Sequence, residues 1–127
     1  MNFDSNAKAI YLQIADRICD DIVRDKYPAE GRVPSVREMA ASLQVNANTV
    51  MRSYERLQQD GLIANRRGIG FFVTPDAKIK ILNRRGEELI DTQLDSLFTL
   101  MMNLDISPET LSDSYRDFLK RHGKNVK

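Results

Sequence analysis

A chain of 127 residues with 42% hydrophobic and 29% charged residues has the make-up of one folded domain, or of a small domain with an appendage. No apolar run approaches the roughly 18 residues that span a bilayer, and the N-terminus lacks the basic-then-apolar order of a secretory signal, so a soluble, cytoplasmic protein without membrane contact is expected. The net charge of +1 does not by itself announce a nucleic-acid partner, and the single cysteine, Cys19, cannot close an internal disulfide.

Residues 1–8 are polar and expected to fray. Over residues 9–26, Ile10, Ile14, Ile18 and Ile22 recur every four positions, with Tyr11, Ala15, Cys19 and Val23 alongside. Asp16, Arg17, Asp20, Asp21, Arg24 and Asp25 fall on the other side, so the stretch predicts a long amphipathic helix. Cys19 sits inside the apolar stripe, where a small packed side chain is its simplest role. Pro28 ends the helix and residues 29–32 form a connection.

Ser35 and Glu38 then make a Ser-x-x-Glu capping box for a short helix over Val36–Leu43, which buries Val36, Met39, Ala40 and Leu43. Gln44-Val45 turns the chain, and Asn46 is placed to cap a third helix whose apolar positions are Val50, Tyr54 and Leu57. Gly61 is its expected stop. Two β-prone runs follow, residues 62–64 and 70–73, joined by a turn over residues 65–69 with Arg66 and Arg67 at its tip. A short helix, a tight turn, a second helix and a basic-tipped hairpin together make a winged helix-turn-helix, a DNA-reading unit.

The local charge agrees with this reading. Residues 31–75 carry six bases (Arg32, Arg37, Arg52, Arg56, Arg66 and Arg67) against three acids (Glu38, Glu55 and Asp60), an excess of +3. Every base is arginine, which pairs bidentately with phosphate or guanine, although ordinary surface pairs use it too.

Beyond Pro75, Ile79, Leu82, Leu89, Ile90, Leu94, Leu97, Phe98, Met101 and Leu104 predict further helix, with a break at residues 84–86 where Gly86 could loosen it. Ser107 caps a last helix with Pro108 at its first position. Leu111, Tyr115, Phe118 and Leu119 form its apolar side, Gly123 marks its end, and residues 124–127 are a loose tail. The expected fold is therefore mainly α with a small β-hairpin. A winged helix-turn-helix domain covers residues 1–75, and a C-terminal helical dimerisation segment covers residues 76–127.

The residues Tyr11-x-Gln13-Ile14, Pro34-Ser35-Val36-Arg37-Glu38-Met39-Ala40, Asn46-x-Asn48-Thr49-Val50, Tyr54-x-x-Leu57, Asp60-Gly61-Leu62-Ile63 and Arg67-Gly68-x-Gly70 stand in one order and spacing. In these motifs the chain resembles the GntR family of bacterial transcription regulators. Its short helical tail resembles the YtrA-type branch. The resemblance implies a regulator, by expectation a repressor, that binds an inverted-repeat operator in double-stranded DNA as a homodimer. It also implies that the helix beginning near Ala47 enters the major groove and that the wing meets the minor groove or the backbone. The chain departs from the family where Glu30 and Gln44 take positions commonly held by glycine. It departs again where Ala47 and Met51 replace arginines that read DNA in many relatives.

The residues expected to touch DNA are Arg37, Asn46, Asn48, Thr49, Arg52, Arg66, Arg67 and Gly68. Asn48 and Arg52 could pair with adenine and guanine edges, and Thr49 with a phosphate or a thymine methyl. Asn46 either joins them or only caps its helix, and Arg37 either contacts DNA or pairs with a local acid. Tyr11 and Tyr54 read as core aromatics. For the second copy, the expected interface is Leu94, Leu97, Phe98, Met101, Leu111, Tyr115 and Phe118, unless those faces pack within one chain. Catalysis is not expected. One His (His122) and one Cys (Cys19) lie far apart in sequence, no zinc spacing occurs, and Gly68-Ile69-Gly70 lacks the rest of a phosphate loop. No cofactor or metal is expected, and a small-molecule effector is left open.

Overall fold

The structure, a computed structural model, describes residues 8–125. The expectation of a frayed start therefore lies, Lys8 apart, outside the described residues, as does the end of the loose tail at residues 126–127. In chain order the elements are α1 (Ile10–Val23), α2 (Val36–Leu43), α3 (Ala47–Gln59), β1 (Ile63–Arg66), β2 (Gly70–Val73), α4 (Ala77–Glu88), α5 (Asp95–Asn103) and α6 (Pro108–Arg121). A π-helical turn, Leu89–Gln93, separates α4 from α5. The chain divides into two compact units, one ending at Arg85 and one beginning at Gly86.

In the first unit three members of the α1 isoleucine repeat face the core, whereas Ile10, at the start of the helix, is exposed. Ile14, Ile18 and Ile22 are buried, with Ala15 and Cys19 beside them, against Met39, Ala40 and Leu43 of α2 and Val50, Tyr54 and Leu57 of α3. Burial pushes the Cys19 thiol up to about 11, against the pull of Arg85, so it stays protonated and behaves as a small apolar side chain. Ser53, the buried polar residue of this core, is satisfied: its Oγ donates to the Tyr11 carbonyl at 2.6 Å and lies 3.2 Å from that of Thr49. Tyr54 ties three parts together. Its hydroxyl donates to the Pro34 carbonyl, and its ring meets Phe71 edge-on, centroids 5.0 Å apart.

The capping box forms as expected, with the Glu38 N–H donating to Ser35 Oγ at 3.1 Å and the Ser35 N–H to Glu38 Oε1 at 3.2 Å. Gln44 closes α2 with φ 57° and ψ 47°, the left-handed conformation that favours glycine. Glu30, the other position where relatives prefer glycine, also has positive φ, 63°.

The wing is an antiparallel pair in which Ile63 faces Val73 and Arg66 faces Gly70. Arg66 thus belongs to β1 and not to the tip, which is Arg67-Gly68-Ile69. The Ile69 N–H donates back to the Arg66 carbonyl, and Gly68, at φ 78°, supplies the left-handed residue this turn requires. The connection before α2 is also more than a linker. The Glu30 N–H donates to Val73 O, the Val73 N–H to Gly31 O and the Val33 N–H to Phe71 O, each at 2.9 Å. Residues 30–33 therefore cover the outer edge of β2, an edge that would otherwise be left unpaired.

The first compact unit runs to Arg85 and so takes in most of α4. Ala77 and Ile81, one turn apart on α4, are buried in the first unit's core, while Ile79 and Leu82, which the sequence pattern placed on the apolar stripe, are exposed. Ion pairs from Lys78 to Asp25 (3.1 Å), Arg84 to Asp60 (3.0 Å) and Arg85 to Asp20 (2.7 Å) flank that seam. All three are exposed and add little individually. Burial of the two apolar residues sets the docking.

In the second unit, α4 runs regularly through Gly86, so the break expected at residues 84–86 falls later, at Leu89–Gln93. There Thr92 Oγ1 donates to the Glu88 carbonyl, a side-chain bond of the kind that bends helices. Ser107 caps α6 through the Thr110 N–H at 3.2 Å, with Pro108 at the start of the helix as its missing N–H allows. No residue of α5 or α6 is buried. Within the described residues, no helix is long and apolar enough to cross a membrane.

Candidate nucleic-acid interface

The first turns of α3 carry the base-reading candidates. Asn46 stands just outside the helix, and its side-chain oxygen accepts the Asn48 backbone N–H at 2.8 Å. The cap role is therefore realised, and the oxygen is committed to the protein's own backbone. Asn48, the second residue of α3, is exposed and Thr49 half-buried, and the side chain of neither makes a hydrogen bond among the described residues.

Arg52 occupies a defined place. Its guanidinium carbon lies 4.1 Å from the centroid of the Tyr11 ring, a cation–π stack that joins the start of α1 to α3. Tyr11 is only half-buried, so it is a platform for an exposed arginine as well as a packing residue. The sequence motif contained Tyr11, but nothing in a single sequence links it to a residue 41 positions later.

Arg37, in the first turn of α2, is exposed and has no ion pair among the described residues, so the surface pair weighed for it does not form. Glu38, beside it, is held below the ordinary carboxylate range, mainly by the hydrogen bond from the Ser35 backbone and then by that from its side chain. The nearest base to Glu38 is Arg32, at 3.8 Å, a loose contact.

On the wing the two arginines have different settings. Arg66 stacks over Phe72, 4.3 Å from the ring centroid, whereas Arg67 and Gly68 project at the tip with no partner among the described residues. Arg32 lies across Gly70. A Cβ on Gly70 would stand 3.2 Å from Arg32 Nε, and φ there is 133°, so glycine both permits the backbone shape and leaves room for the guanidinium. Arg32, one of the six arginines of the local charge excess, is thus built into the wing's base.

These positions supply the two kinds of group that DNA recognition uses. Fixed, outward cations suit phosphates, and short amides and hydroxyls at a helix start suit base edges. Among the described residues, no cluster of His, Cys, Asp or Glu is arranged to hold a metal ion.

Comparison with known proteins agrees. The model of the bacterial regulatory proteins, gntR family, matches residues 10–73. The chain is 34% identical to the uncharacterized HTH-type transcriptional regulator YhcF of Bacillus subtilis, over 89% of this chain and 92% of that protein. It is 31% identical to the HTH-type transcriptional repressor YtrA of the same organism, over 69% of this chain and 67% of that protein. A GntR-family crystal structure from Bacteroides thetaiotaomicron superposes with a TM-score of 0.78 at 51% identity, covering 90% of this chain and 99% of that one. With its helix-turn-helix and wing in place and YtrA among its relatives, the chain belongs to the GntR family of bacterial regulatory proteins, and it is a transcriptional regulator with a DNA-binding winged helix-turn-helix, not an enzyme.

Proposed function

We propose that this regulator is a homodimeric repressor that binds an inverted-repeat operator, with the start of α3 in the major groove and the wing against the minor groove or its flanking phosphates. One observation carries the reading: the second unit buries none of its large apolar residues. Leu97 is 45% exposed, Phe98 39%, Leu111 37%, Tyr115 61% and Phe118 47%. Leu94 and Met101 are half-buried. An apolar surface of that extent is the mark of an association site, and a second copy is the partner that needs no other protein. Two copies related by a two-fold axis present two α3 helices, which fits a palindromic site. The similarity to the YtrA repressor supports the direction of the output. Chromosomal DNA as partner implies a cytoplasmic place of action.

Within this reading, Asn48, Thr49 and Arg52 address base edges, Asn46 acts mainly by shaping the helix start, and Arg37, Arg66, Arg67 and Gly68 hold the backbone. Selection of genomic fragments by the full-length protein, followed by footprinting, tests it. Protected inverted repeats overlapping promoters are expected. Binding without sequence preference, or protection of single unrepeated sites, would overturn it.

A further inference from the structure

The face that α3 would turn to the bases is not wholly polar. Ala47 and Met51, four residues apart and so on one side of the helix, are both exposed, Met51 at 39%. They occupy the first and fifth positions of α3, within the two turns that can reach a groove floor. Val50, Tyr54 and Leu57, the rest of the apolar set on this helix, are buried on the adjoining side, so Ala47 and Met51 form the uncovered edge of the apolar stripe. Core packing leaves that edge uncovered, so the Met51 side chain remains open to a partner. The neighbouring polar groups are partly engaged: Asn46 through its cap bond and Arg52 on the Tyr11 ring.

We infer that Ala47 and Met51 form an apolar reading strip that recognises thymine C5-methyl groups, so that each operator half-site carries thymine opposite this strip. The inference rests on the proposal that α3 enters the major groove. The physical reason is the make-up of that groove: thymine alone among the four bases offers a methyl group there, and apolar side chains pair with it. A guanine or cytosine at the same place would set a polar edge against Met51 and leave that edge desolvated without a partner. The strip thus selects by attraction to one base and by penalty against two others. Asn48, between Ala47 and Met51 in sequence, has its side chain uncommitted and can read an adenine beside the thymine.

The test uses the full-length protein and duplexes selected by it from a random-sequence library. Each thymine of the selected half-site is replaced singly by deoxyuridine, which removes the methyl and leaves base pairing unchanged. At one or two positions this should weaken wild-type binding about fourfold, the value of one buried methyl, and leave it unchanged elsewhere. Met51→Leu should keep that sensitivity, whereas Met51→Ala and Met51→Gln should reduce or abolish it. The Leu and Gln variants keep the side chain's bulk, so their comparison stands even if Met51→Ala fails to fold. Sequence-selective binding that tolerates deoxyuridine everywhere would overturn the inference and leave the DNA-reading function intact. Equal sensitivity in Met51→Gln would also overturn it. If no duplex is selected at all, the underlying function fails, and the inference with it.

Discussion

Tyr11 and Arg52 are 41 residues apart in sequence, yet the Arg52 guanidinium carbon sits 4.1 Å from the Tyr11 ring centroid. The stack limits where an otherwise flexible side chain can go and leaves the guanidinium edge exposed. An arginine held this way loses less freedom when it meets a phosphate or a guanine. Tyr11→Leu keeps apolar bulk and removes the ring's electrostatic face. With a surface cation–π contact worth about 0.5–1 kcal/mol, operator binding should weaken roughly two- to fivefold. In an Arg52→Ala background the same change should have no effect, which a double-mutant cycle on a fluorescent duplex would read.

Phosphate and base contacts separate by their salt and sequence dependence. Arg67, unpartnered at the wing tip, is assigned to the backbone. Arg67→Ala should weaken specific and scrambled duplexes alike and lower the salt slope by about one. Asn48→Ala should instead relax preference at one operator position, by about 1–3 kcal/mol of discrimination. Titrations of both variants at two salt concentrations distinguish the roles, and an unchanged Arg67→Ala would remove the wing from the interface.

The capping box predicts a stability effect and a pH effect together. Ser35→Ala removes a helix cap and should cost about 1 kcal/mol in thermal or urea unfolding. Because Glu38 has its folded pKa lowered by bonds from Ser35, its contribution is present above the ordinary carboxylate pKa. It is lost as pH falls through the lowered folded value. Ser35→Ala keeps the backbone N–H that lowers the Glu38 pKa most and removes only the side-chain bond, so it should flatten this acid limb in part and move the Glu38 titration, followed by NMR, only part of the way towards ordinary carboxylate behaviour.

Gln44 offers a gain of stability. At φ 57° a side-chain-bearing residue pays about 1 kcal/mol for the left-handed conformation. Gln44→Gly should stabilise the fold by somewhat less than that, since glycine also gives the unfolded chain more freedom. A fall in melting temperature would show that Gln44 makes a compensating interaction through its side chain.

The extent to which this molecule is legible from sequence follows the range of the interactions. The α1 stripe from Ile14 onwards, the Ser35–Glu38 box, the Asn46 cap and Pro108 at the start of α6 are all local features, and the structure places each where spacing predicts. The differences are long-range. Residues 30–33 carry no alternating pattern, so their pairing with β2 cannot be read before β2 is in place. The stacking of Arg52 on Tyr11, and of Arg66 on Phe72, needs the packed helices and the strand register respectively. The α4 seam is not legible because Ala77 and Ile81 share a helix face that faces the core, while Ile79 and Leu82, equally apolar, fall outside it. The turn at Leu89–Gln93 carries no glycine or proline to mark it, whereas Gly86, which does carry such a signal, stays within regular helix.

The most direct test of the account is the stoichiometry of the full-length protein on selected DNA, measured by sedimentation velocity at micromolar concentration. Two chains are expected on a duplex carrying the whole inverted repeat, with far weaker binding to a duplex carrying one half. Leu97→Asp with Phe118→Asp, which places charge in the exposed apolar faces of α5 and α6, should abolish the two-chain complex. A single chain bound to the whole repeat with undiminished affinity would contradict the two-fold dimer.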